Sequence, residues 1–202
     1  MKVLITCGPT WVAIDEVRVL SNISTGEMGH LLAGLFKKNG AQVTLIEGQV
    51  THAMDMKGIK VLKFKFFDEL KALLLSECRK KYDCVIHVAA VSDFKPAQSR
   101  QGKISSAQAL QLSLVPTDKI INRIKTIAPD SCLVGFKLEP KISRKNLKKV
   151  SQKLISEAGC DAVLVNALKG GYQAYIIDAD GQVIGSARDK KTIAQQLIRI
   201  LS

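Results

Sequence analysis

The sequence has 202 residues, of which 47% are hydrophobic, 24% charged and 5% aromatic. This composition excludes disordered, collagen-like and coiled-coil proteins, and the length predicts a single domain over residues 1–202. The 30 Lys and Arg residues against 18 Asp and Glu residues give a net charge of +12. A surplus of that size favours an anionic partner, which could be a nucleic acid, a membrane surface or a phosphorylated small molecule.

Short β-branched runs alternate with amphipathic stretches along most of the chain. The predicted strands cover residues 2–6, 42–47, 59–64, 83–89, 110–115, 132–136 and 161–165. The predicted helices cover residues 26–39, 67–79, 118–128, 143–158 and 189–201. This alternation predicts an α/β fold with a doubly wound, mostly parallel sheet of the Rossmann-like kind.

The pattern changes near the end of the chain. Residues 172–178 and 183–185 read as two strands joined by a tight turn at Asp180 and Gly181. An Asp-Gly pair between two such runs predicts an antiparallel hairpin. We therefore expect a C-terminal antiparallel hairpin beside the parallel strands.

The cysteines are Cys7, Cys78, Cys84, Cys132 and Cys160, and no two of them form a C-x-x-C pair. Their odd number and their apolar neighbours predict reduced, mostly buried thiols and neither a disulfide framework nor a zinc site. No stretch approaches the roughly 18 consecutive apolar residues of a membrane span. We expect a soluble, cytoplasmic protein with no membrane partner.

The segment after the first strand indicates an anion site. Gly8 is followed by Pro9 and a long excursion over residues 11–22, so the G-x-G-x-x-G dinucleotide fingerprint is missing. Ser24 or Thr25 is predicted to cap the next helix, and Gly26 would let a phosphate approach its free amides. The alternative is a capped helix with a glycine kept only for packing.

The loop over residues 92–108 follows the central strand, at the edge where open α/β sheets bind ligands. It contains Asp93, which could hold a ribose or a metal, and Lys103, which could neutralise a phosphate; Arg100 lies in the same loop. His30, His52 and His87 are scattered and lack the spacing of metal ligands.

Several segments together resemble one enzyme family. They are Thr-Cys-Gly-Pro-Thr at 6–10, Ile-Asp-Glu-Val-Arg at 14–18, Ser-Asn-Ile-Ser-Thr-Gly-Glu-Met-Gly at 21–29, Ala-Ala-Val-Ser-Asp-Phe at 89–94, Lys-Ile-Ser-Ser at 103–106 and Leu-Val-Gly-Phe-Lys at 133–137. In this order they resemble phosphopantothenoylcysteine synthetase, the phosphopantothenate–cysteine ligase, in its stand-alone bacterial type.

The resemblance implies a two-step ligation in coenzyme A biosynthesis. The carboxylate of 4′-phosphopantothenate is activated with CTP to an acyl-cytidylate, and L-cysteine then displaces CMP. Mg²⁺ would assist the nucleotide, no flavin is expected, and the chain is expected to form a homodimer with an active site completed across the interface. The hairpin over residues 172–185 is a candidate pairing element. A separate phosphopantothenoylcysteine decarboxylase is a possible partner.

The resemblance also implies the site residues. Asn22 and Lys103 would be catalytic, and Arg18, Asn22 and Ala90 would bind phosphopantothenate. The nucleotide-binding set would be Gly8, Ser24, Thr25, Gly26, His87, Val88, Ala89, Asp93, Lys103, Thr117, Lys119, Ile120, Phe136 and Lys153. Ile23 and Glu157 depart from the family pattern, which leaves the choice between CTP and ATP open. The metal ligands remain unassigned.

Two other classes compete with the ligase. Residues 137–153 contain seven basic residues and one acidic residue, the pattern of a solvated helix face or of a nucleic-acid surface. Nucleic acid is disfavoured because aromatic residues are not interleaved with the basic ones. A short-chain reductase is excluded because none of the tyrosines is followed by lysine four residues later.

Overall fold

The computed structural model describes residues 1–51, 55–98, 101–107 and 109–201, so His52, Arg100 and the end of the predicted loop at Gln108 lie outside the described residues. The strands in chain order are β1 Lys2–Cys7, β2 Trp11–Ala13, β3 Val19–Ser21, β4 Gln42–Glu47, β5 Lys60–Lys63, β6 Cys84–His87, β7 Phe94–Pro96, β8 Leu114–Pro116, β9 Cys132–Glu139, β10 Ala162–Ala167, β11 Gln173–Asp178 and β12 Val183–Ala187. The helices are α1 Glu27–Lys38, α2 Phe67–Cys78, α3 Ile124–Ile127, α4 Leu147–Ala158 and α5 Lys190–Leu201, with 3₁₀ turns at Ile120–Arg123 and Arg144–Asn146.

An eight-stranded sheet in the order β12-β11-β10-β9-β6-β1-β4-β5 forms the centre of the molecule. The strands from β10 to β5 run parallel, while β10, β11 and β12 pair antiparallel. Strands β1 and β6 are almost entirely buried, as expected of parallel strands covered on both faces. The predicted α/β fold and its C-terminal hairpin are confirmed.

Helices cover both faces of this sheet because successive strand residues point to opposite sides. On one face Leu4 belongs to the apolar layer under α2, α3 and α4, which includes Leu74. On the other face Ile5 packs in the layer under α1 and α5, with Phe36 and Leu197. The loops at the carboxyl ends of β1, β6 and β9 are thereby held on a rigid edge.

The predicted strand over residues 110–115 is wrong as a member of the parallel series. The strand there is β8, which pairs antiparallel with β7 in a separate two-stranded sheet. Leu110, Leu112 and Leu114 alternate with polar or exposed positions and are themselves about 40% exposed. Such alternation is typical of a hairpin strand with a solvated face, whereas a central parallel strand is continuously apolar.

Three other segments differ in detail from the prediction. The excursion over residues 11–22 contains an antiparallel hairpin of β2 and β3. The predicted helix over 118–128 is a 3₁₀ turn followed by the short α3, and the helix over 143–158 also begins with a 3₁₀ turn. All five cysteines are free, with Cys132 partly exposed and the others buried, as predicted. Among the described residues, every helix is too short or too polar to cross a membrane.

Candidate functional site

A cavity of about 350 Å³ opens at the carboxyl edge of the sheet, between the start of α1, the loop after β6 and the ends of β9 and β10. Its lining residues are Gly8, Ile23, Ser24, Thr25, Gly26, Glu27, Met28, Val88, Ala89, Ala90, Phe136, Leu138, Asn166, Leu168, Tyr172 and Lys190. The location follows the rule that open α/β sheets bind ligands beyond the carboxyl ends of their strands. Eight residues predicted to bind substrate or nucleotide line it: Gly8, Ser24, Thr25, Gly26, Val88, Ala89, Ala90 and Phe136.

The N-terminus of α1 forms one wall of this cavity. The prediction that Ser24 or Thr25 caps the helix is wrong: the N-cap is Gly26, with φ of 76° and no capping side chain. A Cβ at Gly26 would lie 2.4 Å from Val50 Cγ1, so a side chain there would leave no room for the tight entry into the helix. Thr25 Oγ1 instead accepts a long hydrogen bond of 3.4 Å from the amide of Glu27.

The wall is suited to an anion because the first amides of a helix lack intrahelical acceptors and carry the positive end of its dipole. The first intrahelical bond here runs from the amide of His30 to the carbonyl of Gly26. The Glu27 side chain is ion-paired with Lys190 at the start of α5. The Lys190 ammonium group partly neutralises the Glu27 carboxylate, which would otherwise repel an anion at the helix start.

A hydrogen-bonded network holds the ends of β1 and β6 beneath the cavity. Thr6 Oγ1 accepts from the amide of Ala89 at 3.2 Å and lies 2.9 Å from His87 Nδ1. The hydroxyl of Thr6 thus connects the imidazole of His87 to the backbone of the loop at Ala89. Burial lowers the pKa of His87 to about 4. His87 is neutral and buried under the loop, whereas its neighbours Val88 and Ala89 line the cavity.

Asn22 reaches the same loop from the end of the β2–β3 hairpin. Its Nδ2 donates to the carbonyl of Ala90 at 3.3 Å and to that of Val91 at 3.0 Å. Ala90 lines the cavity, so Asn22 lies at the rim, next to the wall formed by α1. This geometry brings Asn22 together with Ala90, its predicted companion in substrate binding.

A second group of predicted residues gathers at the loop after β6 but does not line the cavity. Asp93 and Lys119 are ion-paired, the hydroxyl of Thr117 donates to the carbonyl of Ser92 at 2.6 Å, and the amide of Thr117 donates to the carbonyl of Asp93 at 2.9 Å. Ile120 begins the adjoining 3₁₀ turn and is buried. Four predicted nucleotide-binding residues are thus close together and share the loop that carries Ala90.

Arg18 and Lys103 lie at a third place. Asp15 Oδ2 accepts from Arg18 Nη1 at 3.1 Å and from the amide of Ile104 at 3.0 Å, while Arg18 Nη2 donates to the carbonyl of Ile104 at 3.0 Å. The amide of Ile104, together with Arg18, holds the pKa of Asp15 below its usual range. This cluster ties the segment of Lys103 to the turn before β3, and Lys103 itself is exposed.

Lys153 lies on a different surface. It shares a shallow groove along α4 with Lys145, Lys148 and Lys149. Its predicted contact with a triphosphate stays a prediction, since the residues of this groove are distinct from those that line the cavity.

The cavity is also lined by residues to which the sequence analysis assigned no site role. These are Ile23, Glu27, Met28, Leu138, Asn166, Leu168, Tyr172 and Lys190. Leu138 and Asn166 are directly paired in register near the ends of β9 and β10, so the carboxyl-end rule could have found them. Burial, reinforced by Asp189 and Glu27, raises the pKa of Tyr172 to about 12, and its hydroxyl has no hydrogen-bond partner among the described residues.

Comparison with known proteins identifies the family of the chain. Residues 1–202 match the family described as the DNA/pantothenate metabolism flavoprotein C-terminal domain. The chain is 38% identical over 174 residues to the coenzyme A biosynthesis bifunctional protein CoaBC of Thermococcus kodakarensis, an alignment that covers 83% of this chain and 41% of that protein. The chain spans about half the length, or less, of the curated relatives that it matches first.

Two solved structures show the same fold. The DNA/pantothenate metabolism flavoprotein from Streptococcus pneumoniae superposes with a TM-score of 0.88 at 26% identity, covering 100% of this chain and 98% of that one. A Cab2 variant in complex with phosphopantothenate-cysteine superposes with a TM-score of 0.81 at 19% identity, covering 99% and 86%.

Proposed function

The chain belongs to the family of the DNA/pantothenate metabolism flavoprotein C-terminal domain, and from this premise we propose that it is a phosphopantothenate–cysteine ligase of coenzyme A biosynthesis. Family membership confirms the resemblance carried by the motifs. The observation that carries the proposal is the cavity, which lies between the free amides at the start of α1 and the loop of Ala90, to which Asn22 is hydrogen-bonded.

In the first step, a carboxylate oxygen of 4′-phosphopantothenate attacks the α-phosphorus of the nucleotide, and the bond to pyrophosphate breaks. The amides at the start of α1, with the hydroxyls of Ser24 and Thr25, hold a phosphate group. Asp93, Thr117 and Lys119 bind the nucleotide beside the loop of Ala90. The residues act by positioning and by stabilising phosphate charge, so this step requires no protein nucleophile.

In the second step, the amine of L-cysteine attacks the acyl carbon, the bond to the nucleoside monophosphate breaks, and the amine proton passes to solvent. Negative charge develops on the acyl oxygen during this attack. The two hydrogens of the Asn22 amide now bond the carbonyls of Ala90 and Val91, and exchange of one of these bonds would let Asn22 donate to that oxygen. Asn22 is therefore the residue on which the second step depends.

The nucleotide is proposed to be CTP, with ATP as the alternative, and to arrive with Mg²⁺. Mg²⁺ is commonly held by one or two carboxylates together with substrate phosphates. The exposed carboxylate of Asp93 fits such an ion only if its ion pair with Lys119 opens, which phosphates of the nucleotide that bind Lys119 would allow. The ion would neutralise phosphate charge. We place the ligase in the cytoplasm, where a phosphopantothenoylcysteine decarboxylase would take its product.

The reaction is tested by incubating the protein with 4′-phosphopantothenate, L-cysteine, Mg²⁺ and either CTP or ATP. We expect pyrophosphate release and formation of 4′-phosphopantothenoylcysteine, with faster turnover on CTP. Absence of pyrophosphate with both nucleotides would overturn the assignment. Faster turnover on ATP would change the nucleotide and leave the ligase in place.

The role of Asn22 is tested by Asn22→Asp. A carboxylate cannot donate to the acyl oxygen, so we expect pyrophosphate release in the first step and product formation reduced about 100-fold or more, as for loss of an oxyanion-hole donor. Asn39→Asp is the matched control, because Asn39 is at the exposed end of α1 and bonds only its own helix. Normal turnover by the Asn22 variant would refute this role.

The protein is proposed to act as a homodimer, because Lys103 is a predicted catalytic residue that does not line the cavity of its own chain. Two surfaces are candidates for the interface. The small sheets expose Val19, Leu20, Phe94, Leu114 and Val115, whereas the outer strand of the C-terminal hairpin exposes Val183 and Ile184. The larger apolar set favours the small sheets.

Comparing Phe94→Lys with Val183→Lys by sedimentation velocity distinguishes these surfaces. We expect the Phe94 variant to dissociate and the Val183 variant to remain dimeric. The reverse outcome would move the interface to the hairpin, and a monomeric wild type would refute the dimer.

The basic groove on α4 keeps nucleic acid as a second, less favoured candidate. Lys145, Lys148, Lys149 and Lys153 lie together there. Binding of generic DNA or RNA that weakens steeply with salt, without nucleotide turnover, would support it over the ligase.

A further inference from the structure

We propose that Cys7, His30 and Glu47 form a buried site for one zinc ion. One ligand atom from each side chain lies within 4.8 Å of the other two. The three residues are 0%, 1% and 2% exposed, so a thiol, an imidazole and a carboxylate meet in a space closed to bulk water. This is the only such group of three or more metal-ligating side chains found in the described parts of the chain.

The three ligands come from three different elements. Cys7 ends β1, Glu47 ends β4, and His30 lies in the first turn of α1. Strands β1 and β4 pair in parallel with Cys7 directly opposite Glu47. A Cβ at Gly29 would lie 2.2 Å from Cys7 Cβ, so the glycine allows α1 to approach closely enough to bring His30 to the pair.

This convergence also explains why the sequence predicted no zinc site. That expectation came from the missing C-x-x-C pair and the scattered histidines. Ligands 17 to 40 residues apart have no recognisable spacing, and only the parallel pairing of β1 with β4 and the crossover through α1 assemble them. Sequence spacing identifies zinc ligands that share one loop or hairpin, not ligands from three elements.

The donor set suits zinc in particular. Cysteine sulfur, histidine nitrogen and carboxylate oxygen are its usual protein ligands, and three of them leave one tetrahedral position for water. Bond lengths of 2.0–2.3 Å place tetrahedral ligand atoms roughly 3.3–3.8 Å apart, a range that small side-chain shifts can reach here. His30 Nε2 and Glu47 Oε1 are now hydrogen-bonded to each other, and zinc would replace the shared proton. The Cys7 thiol would lose its proton to solvent on binding.

The positive charge of Lys63 affects how tightly this site can bind zinc. Lys63 forms an ion pair with Glu47 from the surface, and its side chain is 67% exposed. Its ammonium group can swing into solvent, which gives an ion a path to Glu47. A thiolate and a carboxylate together balance the charge of Zn²⁺, but Lys63 adds a positive charge beside it. Lys63 should therefore weaken zinc binding.

Bound zinc would stabilise the positions of the residues beneath the cavity. Cys7 directly precedes Gly8, which lines the cavity, and the amide of His30 bonds the carbonyl of Gly26 at the helix start. The ion would join the end of β1 to the first turn of α1, on the side away from the ligand. This role is structural and does not depend on the proposed ligase activity.

The first experiment measures metal content and the cobalt spectrum of the whole protein. We expect about one zinc per chain by mass spectrometry, and a thiolate-to-cobalt charge-transfer band after replacement by Co²⁺. Cys7→Ala should lose both, and Cys78→Ala, which removes another buried thiol, should keep both. A folded wild type without zinc or the band, or a Cys7 variant that retains them, would overturn the proposal.

The second experiment needs no change to a ligand and measures zinc affinity by competition with a chelator. Lys63→Ala should lower the dissociation constant about fivefold or more, the effect of removing one nearby unit charge in water. Lys60→Ala is the matched control, because Lys60 lies on the same strand and pairs with Glu77 instead. An unchanged affinity in the Lys63 variant would remove Glu47 from the site and overturn the three-ligand assignment.

Discussion

Replacing Gly26 with alanine tests whether the start of α1 needs a glycine only for its left-handed backbone conformation or also for the space beside it. Gly26 has φ of 76°, and an added Cβ would lie 2.4 Å from Val50 Cγ1. Gly40 has φ of 80°, but a Cβ there would meet nothing within 4 Å. The two glycines therefore share the left-handed backbone and differ in the space around it.

The expected losses in the free energy of unfolding follow from the backbone conformation and from the space around each glycine. A left-handed backbone costs an alanine about 1–2 kcal/mol, partly offset by about 0.4–1 kcal/mol because alanine restricts the unfolded chain. Gly40→Ala should therefore lower the free energy of unfolding by about 1 kcal/mol. The contact with Val50 adds about 1–3 kcal/mol of overpacking, so Gly26→Ala should lower it by about 2–4 kcal/mol.

The assay is urea unfolding of both variants and of a cycle with Val50→Ala. The double variant Gly26→Ala/Val50→Ala should be more stable than the sum of the single changes predicts, by roughly the overpacking term. Because Gly26 lines the cavity and is a predicted nucleotide-binding residue, the Gly26 variant should also have a raised KM for the nucleotide, and the Gly40 variant should not.

Equal losses of stability in the Gly26 and Gly40 variants, together with additivity in the Val50 cycle, would refute this reasoning. The backbone conformation alone would then account for the glycine. In that case Gly26 would not be needed for the close approach between α1 and the segment of Val50.

Other predictions concern buried polar groups. Burial lowers the pKa of His87 to about 4, so between pH 6.5 and 4 the unfolded chain binds a proton that the native state does not. The free energy of unfolding should therefore fall by up to about 3 kcal/mol as pH drops from 6.5 to 4. His87→Gln should reduce that fall, as measured by urea unfolding at each pH. Burial would raise the pKa of Glu77, but hydrogen bonds from Lys80, Tyr82 and Lys60 outweigh it and hold that pKa at about 2. The stabilisation from the ionised Glu77 is present above pH 4.5 and is lost as pH falls toward 2. Glu77→Gln should therefore lower the free energy of unfolding by about 2 kcal/mol near pH 7, which is less than the full pKa shift implies because both lysines are half-exposed. An equal loss at pH 2 and pH 7 would contradict this. Tyr172→Phe should raise the melting temperature slightly, since its buried hydroxyl has no partner among the described residues, and a lower melting temperature would indicate a missed partner.

Much of the fold could be predicted because strands and helices depend on local patterns. The continuous apolar runs of β1 and β6 indicate buried parallel strands, and Asp180-Gly181 indicates the turn of the hairpin. The strand over residues 110–115 was misassigned because Leu110, Leu112 and Leu114 are apolar without being buried in the main sheet. Apolar alternation predicts a strand but does not identify the strand with which it pairs.

The candidate site was predictable only in part. Ser24, Thr25 and Gly26 precede an apolar helix, and Ala89 and Ala90 follow a central strand, so the general rules for phosphate sites and sheet edges place both segments at one opening. The carboxyl-end rule could have assigned Asn166 to the site, because it lies near the end of β10. Tyr172 could not be assigned, because it lies between β10 and β11 and no local pattern shows that this segment reaches the cavity. The capping residue was also misassigned, because the close approach of Val50 cannot be seen in the local sequence.

The sequence by itself determined the alternation of strands and helices, the family motifs and the +12 charge, because each depends on composition or on residues near one another in the chain. Only the tertiary structure decided which residues meet. It gathered Cys7, His30 and Glu47 beneath the cavity, and it separated the basic groove of Lys153 from that cavity. The physical reason is that parallel strands pair through long crossovers, so their neighbours are set by how helices pack on the sheet and not by local patterns.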